Sequence, residues 1–301
     1  ADESDGSFIH VPSTYSIITN IDREHMDFYK SMKDLKNLFI KFINKVPSFG
    51  KSFICVDDKN NVELLKKLKI KNYYTYGTNP KAQFYIKNIK HQKETSEYDL
   101  SIKLPGKKNI FINKINIPLL GIHNIRNSTA AVAVASTIGI PMTIIKKGLK
   151  EFKGVQRRFN KIFTYRDVNF YDDYAHHPTE IKEVLNGVRA AYKTEEIICV
   201  FQPHRVSRLK DLKKEFSLSF KKADTVILCP IYLAGEKIKL GFDYNNFAKS
   251  IIKNSKVRLF LVNDQYQLAK FIKSNVYGKK IVIGMGAGSI SSWMKELPKL
   301  I

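Results

Sequence analysis

Four short runs in the second half of the chain, Ile197 to Phe201, Thr225 to Cys229, Val257 to Val262 and Lys280 to Ile283, are apolar at most positions and separated by helical segments. Such runs belong in a sheet covered on both faces, so this part of the chain predicts a doubly wound, Rossmann-like α/β domain. A strand pair, Lys161 to Tyr165 with Val168 to Tyr171, opens it after Gly154. In front of Gly154 the texture differs. Leu35, Leu38, Phe39, Phe42, Ile43 and Val46 repeat at helical spacing behind a capping Ser31, and strands are expected at Tyr15 to Ile21, Ser52 to Val56 and Tyr73 to Tyr76. A helix near Val62 to Leu68 continues the α/β pattern. From Phe84 to Leu119 apolar and polar residues alternate, with turn signals at Pro105-Gly106 and Asn113, which predicts a β-rich insertion of hairpins. Helices over Asn124 to Ile138 and Thr143 to Phe152 close this part. The expected division is residues 1–154 and 155–301.

Net charge is +23, which raises nucleic-acid binding as a question. The lysines are spread through nearly every segment beside abundant Ile and Asn, so they form no stripe, and no nucleic-acid motif is present. Polyanionic small substrates would also tolerate such a field. No apolar run reaches the roughly 18 residues of a membrane span, so no membrane insertion is expected. Cys55, Cys199 and Cys229 sit apart in apolar runs without metal spacing, as buried thiols of a cytoplasmic protein would.

The densest chemistry lies in Tyr171-Asp172-Asp173-Tyr174-Ala175-His176-His177-Pro178-Thr179-Glu180. An expected strand ends there, and Pro178 suits the first turn of a helix, where its missing donor is not needed. The cluster therefore falls at a strand's C-terminal end, where open α/β sheets bind ligands. A capped turn with solvated charges is the plain alternative. The late Gly284-Met285-Gly286-Ala287-Gly288 leaves no room for the acidic residue of a dinucleotide site and reads as a tight turn into the last helix.

Other segments join this one in order: Glu3-Ser4-Asp5-Gly6-Ser7, Asn20-Ile21-Asp22-Arg23-Glu24-His25, Gly121-Ile122-His123-Asn124-Ile125-Arg126-Asn127, Gly154-Val155-Gln156-Arg157-Arg158-Phe159 and Phe201-Gln202-Pro203-His204-Arg205-Val206-Ser207-Arg208. Together they resemble the Mur ligase family over nearly the whole chain, and within it the branch that adds L-alanine. The resemblance implies bacterial cytoplasmic ligation of L-alanine to UDP-N-acetylmuramate with ATP and Mg²⁺, through an acyl phosphate, in peptidoglycan precursor synthesis. It also implies three domains. This chain, which begins without Met, is expected to be a fragment that starts inside the central ATPase domain and is inactive alone. Gly50-Lys51-Ser52 does not replace the phosphate loop: the first Gly of G-x-x-x-x-G-K-[ST] would be Lys45, and helix precedes strand rather than the reverse.

Residue roles follow from the same resemblance. Glu3 and His25 are the metal candidates, although Mg²⁺ prefers oxygen and a loop histidine packing on Phe28 or Tyr29 is the alternative. Asp2 and Asp5 are caps or neighbours of that site. Asn127 would meet adenine and Asn124 the phosphates, with an N-cap role open for Asn124. Arg157 and Arg158 at the domain boundary would serve substrate and ATP, swinging in as the domains close, and Arg158 is a catalytic candidate with His176. A surface pair of arginines is their alternative. Asp173 would accept the ribose hydroxyls beside Tyr174. His176 would face the muramyl carboxylate or the incoming alanine, with His177 structural. Arg205 and Arg208 would hold the acidic substrate, and Glu236 has no assigned role. Ala175 in place of Gly leans toward the tripeptide-adding recycling ligase, and a non-catalytic UDP-muramyl-binding remnant is a further reading.

Overall fold

The computed structural model describes residues 3–26, 28–69, 72–236 and 242–301, so the reading of Asp2 lies outside the described residues. The chain divides into two compact units: Ala1–Lys90, Thr95–Pro118 and His123–Phe152 in the first, and His91–Glu94, Leu119–Ile122 and Lys153–Ile301 in the second.

The first unit carries a six-stranded sheet in the order β1 (Tyr15–Ile18), β2 (Lys51–Cys55), β3 (Tyr73–Gly77), β4 (Phe84–Gln92), β5 (Thr95–Ile102) and β6 (Ile110–Ile117). Strands β1 to β4 are parallel, and β5 and β6 pair antiparallel. The β-rich segment therefore extends the same sheet, joined through Tyr76 opposite Phe84. Helix α1 (Met32–Asn44) starts at Ser31, whose hydroxyl oxygen accepts the Asp34 N–H at 3.2 Å. Its apolar stripe, Leu35, Phe42 and Ile43, packs with Phe8, Ile18, Ile54 and Leu64. Full burial of such a side chain contributes about 1.5–3 kcal/mol. Gly50 sits in the turn before β2, where a Cβ would lie 2.0 Å from the Thr14 carbonyl oxygen. Close backbone approach thus explains this glycine. Helices α2 (Lys59–Leu65), α3 (Ile122–Thr137) and α4 (Met142–Glu151) complete the set.

The second unit has the order β11-β10-β9-β12-β8-β7, comprising β7 (Asn160–Tyr165), β8 (Val168–Asp173), β9 (Glu196–Phe201), β10 (Thr225–Leu228), β11 (Arg258–Leu261) and β12 (Lys280–Met285). All pairings are parallel except that of β7 with β8. The last strand inserts between β8 and β9, placing Val282 between Phe170 and Ile198, and Ile283 between Tyr171 and Cys199. Successive residues point to opposite faces. Tyr171, Cys199 and Ile283 meet α5 (Pro178–Ala191), α6 (Val206–Asp211), α7 (Lys213–Leu218) and α8 (Tyr244–Ser255) through Leu185, Leu209, Phe216 and Phe247. Phe170, Ile198 and Val282 meet α9 (Gln265–Asn275) and α10 (Ile290–Leu300) through Ile272, Ile290 and Met294. The doubly wound fold follows from this two-faced alternation.

Candidate active site

The loops leaving β8, β12 and β9 emerge side by side at the C-terminal edge of the second sheet. Asp172 and Asp173 are the last residues of β8 and are 3% and 2% exposed. Asp173 accepts the Phe159 and Ala175 amides, each at 2.8 Å. Its carboxyl is raised to about 7 because burial outweighs those amides and Arg158. Both carboxylate oxygens of Asp173, the residue expected at the ribose hydroxyls, are thus engaged by backbone amides. In this arrangement it is a clamp between two loops. Asp172 takes the Ser291 hydroxyl at 2.5 Å.

Arg157 is likewise engaged inside the protein. Its Nη2 donates to the Gly286 carbonyl at 2.6 Å, its Nε lies 3.7 Å from Asp172, and its guanidinium covers the Tyr174 ring at 4.7 Å. Its backbone, at φ 59°, accepts the Tyr174 N–H at 2.7 Å. Arg157, expected at the substrate, therefore also ties the loop ends together. Arg158 is half exposed, 3.7 Å from Glu180, and remains available to an anion.

Glu180 organises the double histidine. It accepts the His176 and His177 amides at 3.0 and 3.2 Å and lies 3.3 Å from His176 Nδ1. Burial would raise its carboxyl, but His176, the two amides and Arg158 outweigh it and hold it below the ordinary value. His177 is the N-cap of α5 and completes a capping box with Glu180, in line with a structural role. His176 Nδ1 stands 2.9 Å from the Tyr174 carbonyl, which assigns the proton to Nδ1 and makes Nε2 the basic nitrogen.

His204, reached from β9, packs edge-on to His176 with ring centroids 5.7 Å apart and stacks on Tyr232 at 5.6 Å. Burial, then Arg208, His176 and Arg205, depress its pKa to about 4. It is a neutral acceptor at pH 7. An NMR titration of the His204 ring protons is expected to show an inflection near 4, well under the free value of about 6.5. An inflection at or above 6.5 would contradict the packing. Arg205 is exposed at the N-cap of α6 with φ 67°, and Arg208 follows one turn later, 3.5 Å from His204 Nδ1. His176, His204, Arg205 and Arg208 thus share one edge. The glycines of the β12 loop serve close packing, since a Cβ on Gly288 would lie 2.5 Å from both Gln202 Oε1 and Tyr232 Cγ.

In the first unit, His25 Nε2 and Glu3 Oε1 are 3.8 Å apart, and Glu24 joins them with all ligand atoms within 4.8 Å. Opposite ligands of Mg²⁺ are separated by about 4.2 Å, so Glu3 and His25 can share one ion and Glu24 can join directly or through a water. The donor set fits a divalent cation. Glu24 was not singled out from sequence because nothing local marks it as facing Glu3. Asn127 is exposed, whereas Asn124 lies inside the first turn of α3, which begins at Ile122, so the N-cap alternative for Asn124 does not hold. Between them Arg126 pairs with Asp57 at 2.7 Å, and Asp57 also accepts the Thr78 amide at 2.9 Å. This tie between α3 and the loops after β2 and β3 has no signature in the sequence.

A parallel sheet with an antiparallel extension, followed by a doubly wound unit with a double-histidine loop, matches one class of protein throughout. The profile of the Mur ligase middle domain covers residues 2–135, and that of the Mur ligase, glutamate ligase domain covers residues 157–288. The chain belongs to the Mur ligase family. Among its relatives, the UDP-N-acetylmuramate–L-alanine ligase of Pelagibacter ubique (strain HTCC1062) is 82% identical over all 301 residues, which span 65% of that protein. The ligase of the same name from Bartonella tribocorum is 36% identical over 300 residues, 99% of this chain and 63% of the relative. The crystal structure of UDP-N-acetylmuramate-alanine ligase MurC from Thermotoga maritima superposes with a TM-score of 0.76 at 24% identity, over 99% of this chain and 62% of that one, and supports the fold.

Proposed function

We propose that these residues are the ATP-handling and amino-acid-joining parts of a bacterial, cytoplasmic UDP-N-acetylmuramate–L-alanine ligase. The observation that carries this reading is the 82% identity, sustained across the whole chain, to a relative of that name. The boundary between the two parts is placed at Gly154. No G-x-x-x-x-G-K-[ST] run occurs in the 301 residues, so the activity is proposed for a protein that supplies a β,γ-phosphate cradle in addition to them.

The chemistry joins a carboxylate to an amine. A lactyl carboxylate oxygen attacks the γ-phosphorus, the bond to the β,γ-bridging oxygen breaks, and ADP leaves. The alanine nitrogen then attacks the acyl carbon, loses a proton, and inorganic phosphate departs as the amide forms. Both steps gather negative charge, so fixed cations and positioning supply most of the catalysis. Arg205 and Arg208 bind the acidic sugar nucleotide, and Arg158 meets the migrating phosphoryl group. His176, with Nε2 basic, orients the amine or receives its proton beside the neutral His204. Asn127 contacts adenine, Asn124 lies by the phosphates, and Tyr174 packs near the nucleotide. Glu3, His25 and Glu24 would hold Mg²⁺, which neutralises phosphate charge when bound.

The test is ligation by the natural protein with ATP and UDP-N-acetylmuramate, offering L-alanine or a muramyl-type tripeptide. L-Alanine should be incorporated with one ADP formed per amide, and the tripeptide should not. Preferential use of the tripeptide would overturn this reading in favour of the recycling ligase. That alternative and a non-catalytic remnant are not favoured, since the relatives at 82% and 36% identity are both alanine ligases by name.

A further inference from the structure

The loop after β10, from Ile231 to Glu236, has no part in the reaction as proposed, yet it is built with unusual care. Ala234 and Gly235 are consecutive left-handed residues, at φ 50° and 84°. For alanine this conformation is strained, and strain persists where surrounding contacts enforce it. The enforcing contacts converge on α6. Glu236 Oε2 accepts the Val206 and Ser207 amides at 2.7 and 3.2 Å, and Oε1 accepts the Ser207 hydroxyl. The residue at the N-cap of α6 is Arg205, whose side chain makes no capping bond, so the cap arrives from thirty residues downstream.

The same loop also fixes the residues before α6. Tyr232 donates its amide to Pro203 O at 2.8 Å and accepts the Arg205 amide at 2.9 Å, while its ring stacks on His204. Arg205, with φ 67°, is therefore held on one side by Tyr232 and on the other by the turn that Glu236 closes.

We propose that Glu236 is a positioning residue of the ligation: by capping α6 from the 231–236 loop, it holds Arg205 and Arg208 where the anionic substrate needs them. This rests on the assignment of those two arginines to UDP-N-acetylmuramate given above. Loss of the carboxylate lets the first turn of α6 fray, so the arginines must be reordered each time the substrate binds, whereas the groups that meet ATP are untouched.

The experiment uses the natural protein and its Glu236→Ala and Glu236→Gln variants, with steady-state kinetics for each substrate and amide hydrogen exchange at Val206 and Ser207. In Glu236→Ala, KM for UDP-N-acetylmuramate should rise about tenfold or more with kcat and the KM for ATP within about twofold, and exchange at both amides should accelerate by a similar factor. Glu236→Gln, which keeps an acceptor oxygen, should recover most of the KM. A lowered melting temperature with an unchanged KM for the sugar nucleotide would overturn the proposal and leave Glu236 an ordinary cap. Absence of ligation by the unsubstituted protein would instead overturn the functional reading on which the proposal stands, so the two failures are told apart by the parent enzyme's turnover.

Discussion

Arg205→Ala should weaken binding of UDP-N-acetylmuramate by about 1.5–3 kcal/mol, roughly 10- to 150-fold, and leave ATP affinity within about twofold. The guanidinium is exposed at the C-terminal edge of the second sheet, on a backbone held by the Tyr232 carbonyl and by the turn of α6. Truncation therefore removes a preset cation at little cost to the fold. Arg205→Lys should restore only part of the affinity, because an ammonium cannot reproduce the two parallel donors that guanidinium offers a carboxylate or phosphate. Calorimetric titration of each variant with each ligand separates the two effects. Loss of ATP affinity with the sugar nucleotide spared would move Arg205 to the ATP site.

Asp173→Ala should produce the largest loss of stability. The buried Ala175 amide and the partly buried Phe159 amide would lose their acceptor, at about 1–3 kcal/mol for the first and less for the second. The variant should therefore melt well below the parent at pH 5. At higher pH the difference narrows, for a reason that lies in the parent. Burial raises the Asp173 carboxyl to about 7 in the folded protein, against about 3.9 in an unfolded chain. The folded state thus binds the proton more tightly. The contribution of this group is fully present below pH 4 and is lost as pH rises through 7, at up to about 1.4 kcal/mol per pH unit. Thermal melts of parent and Asp173→Ala between pH 4.5 and 8.5 should converge as pH increases. A variant that melts like the parent at every pH but loses ATP affinity would return Asp173 to the ribose.

How far the fold could be read from sequence depended on whether the relevant interactions were local. Helix α1 with its Ser31 cap, and the switch from strand to helix between Asp173 and Pro178, follow from apolar spacing and capping chemistry within a few residues. The doubly wound character was legible for the same reason. The insertion of β12 between β8 and β9 was not, since identical apolar runs could pair in several orders, and only the packed helices on both faces select one.

The candidate site shows the same division. His176, Arg205 and Arg208 were identified from their motifs, and they do share an edge. The depth of Asp173, the inward engagement of Arg157 and the cap supplied by Glu236 depend on partners 14, 129 and 30 positions away. Charge and polarity in a sequence do not reveal which polar groups the fold will turn inward. Glu24 beside Glu3 belongs with these cases, because a loop approach of about twenty residues leaves no periodic trace.

The most direct measurement is of oxygen transfer. UDP-N-acetylmuramate labelled with ¹⁸O in its lactyl carboxylate, turned over by the natural protein with ATP and L-alanine, should deliver one ¹⁸O atom into each inorganic phosphate released, because the carboxylate oxygen leaves with the phosphoryl group. Phosphate free of label, alongside amide formation, would contradict the acyl-phosphate route and with it the assignment of Arg158, Arg205 and Arg208.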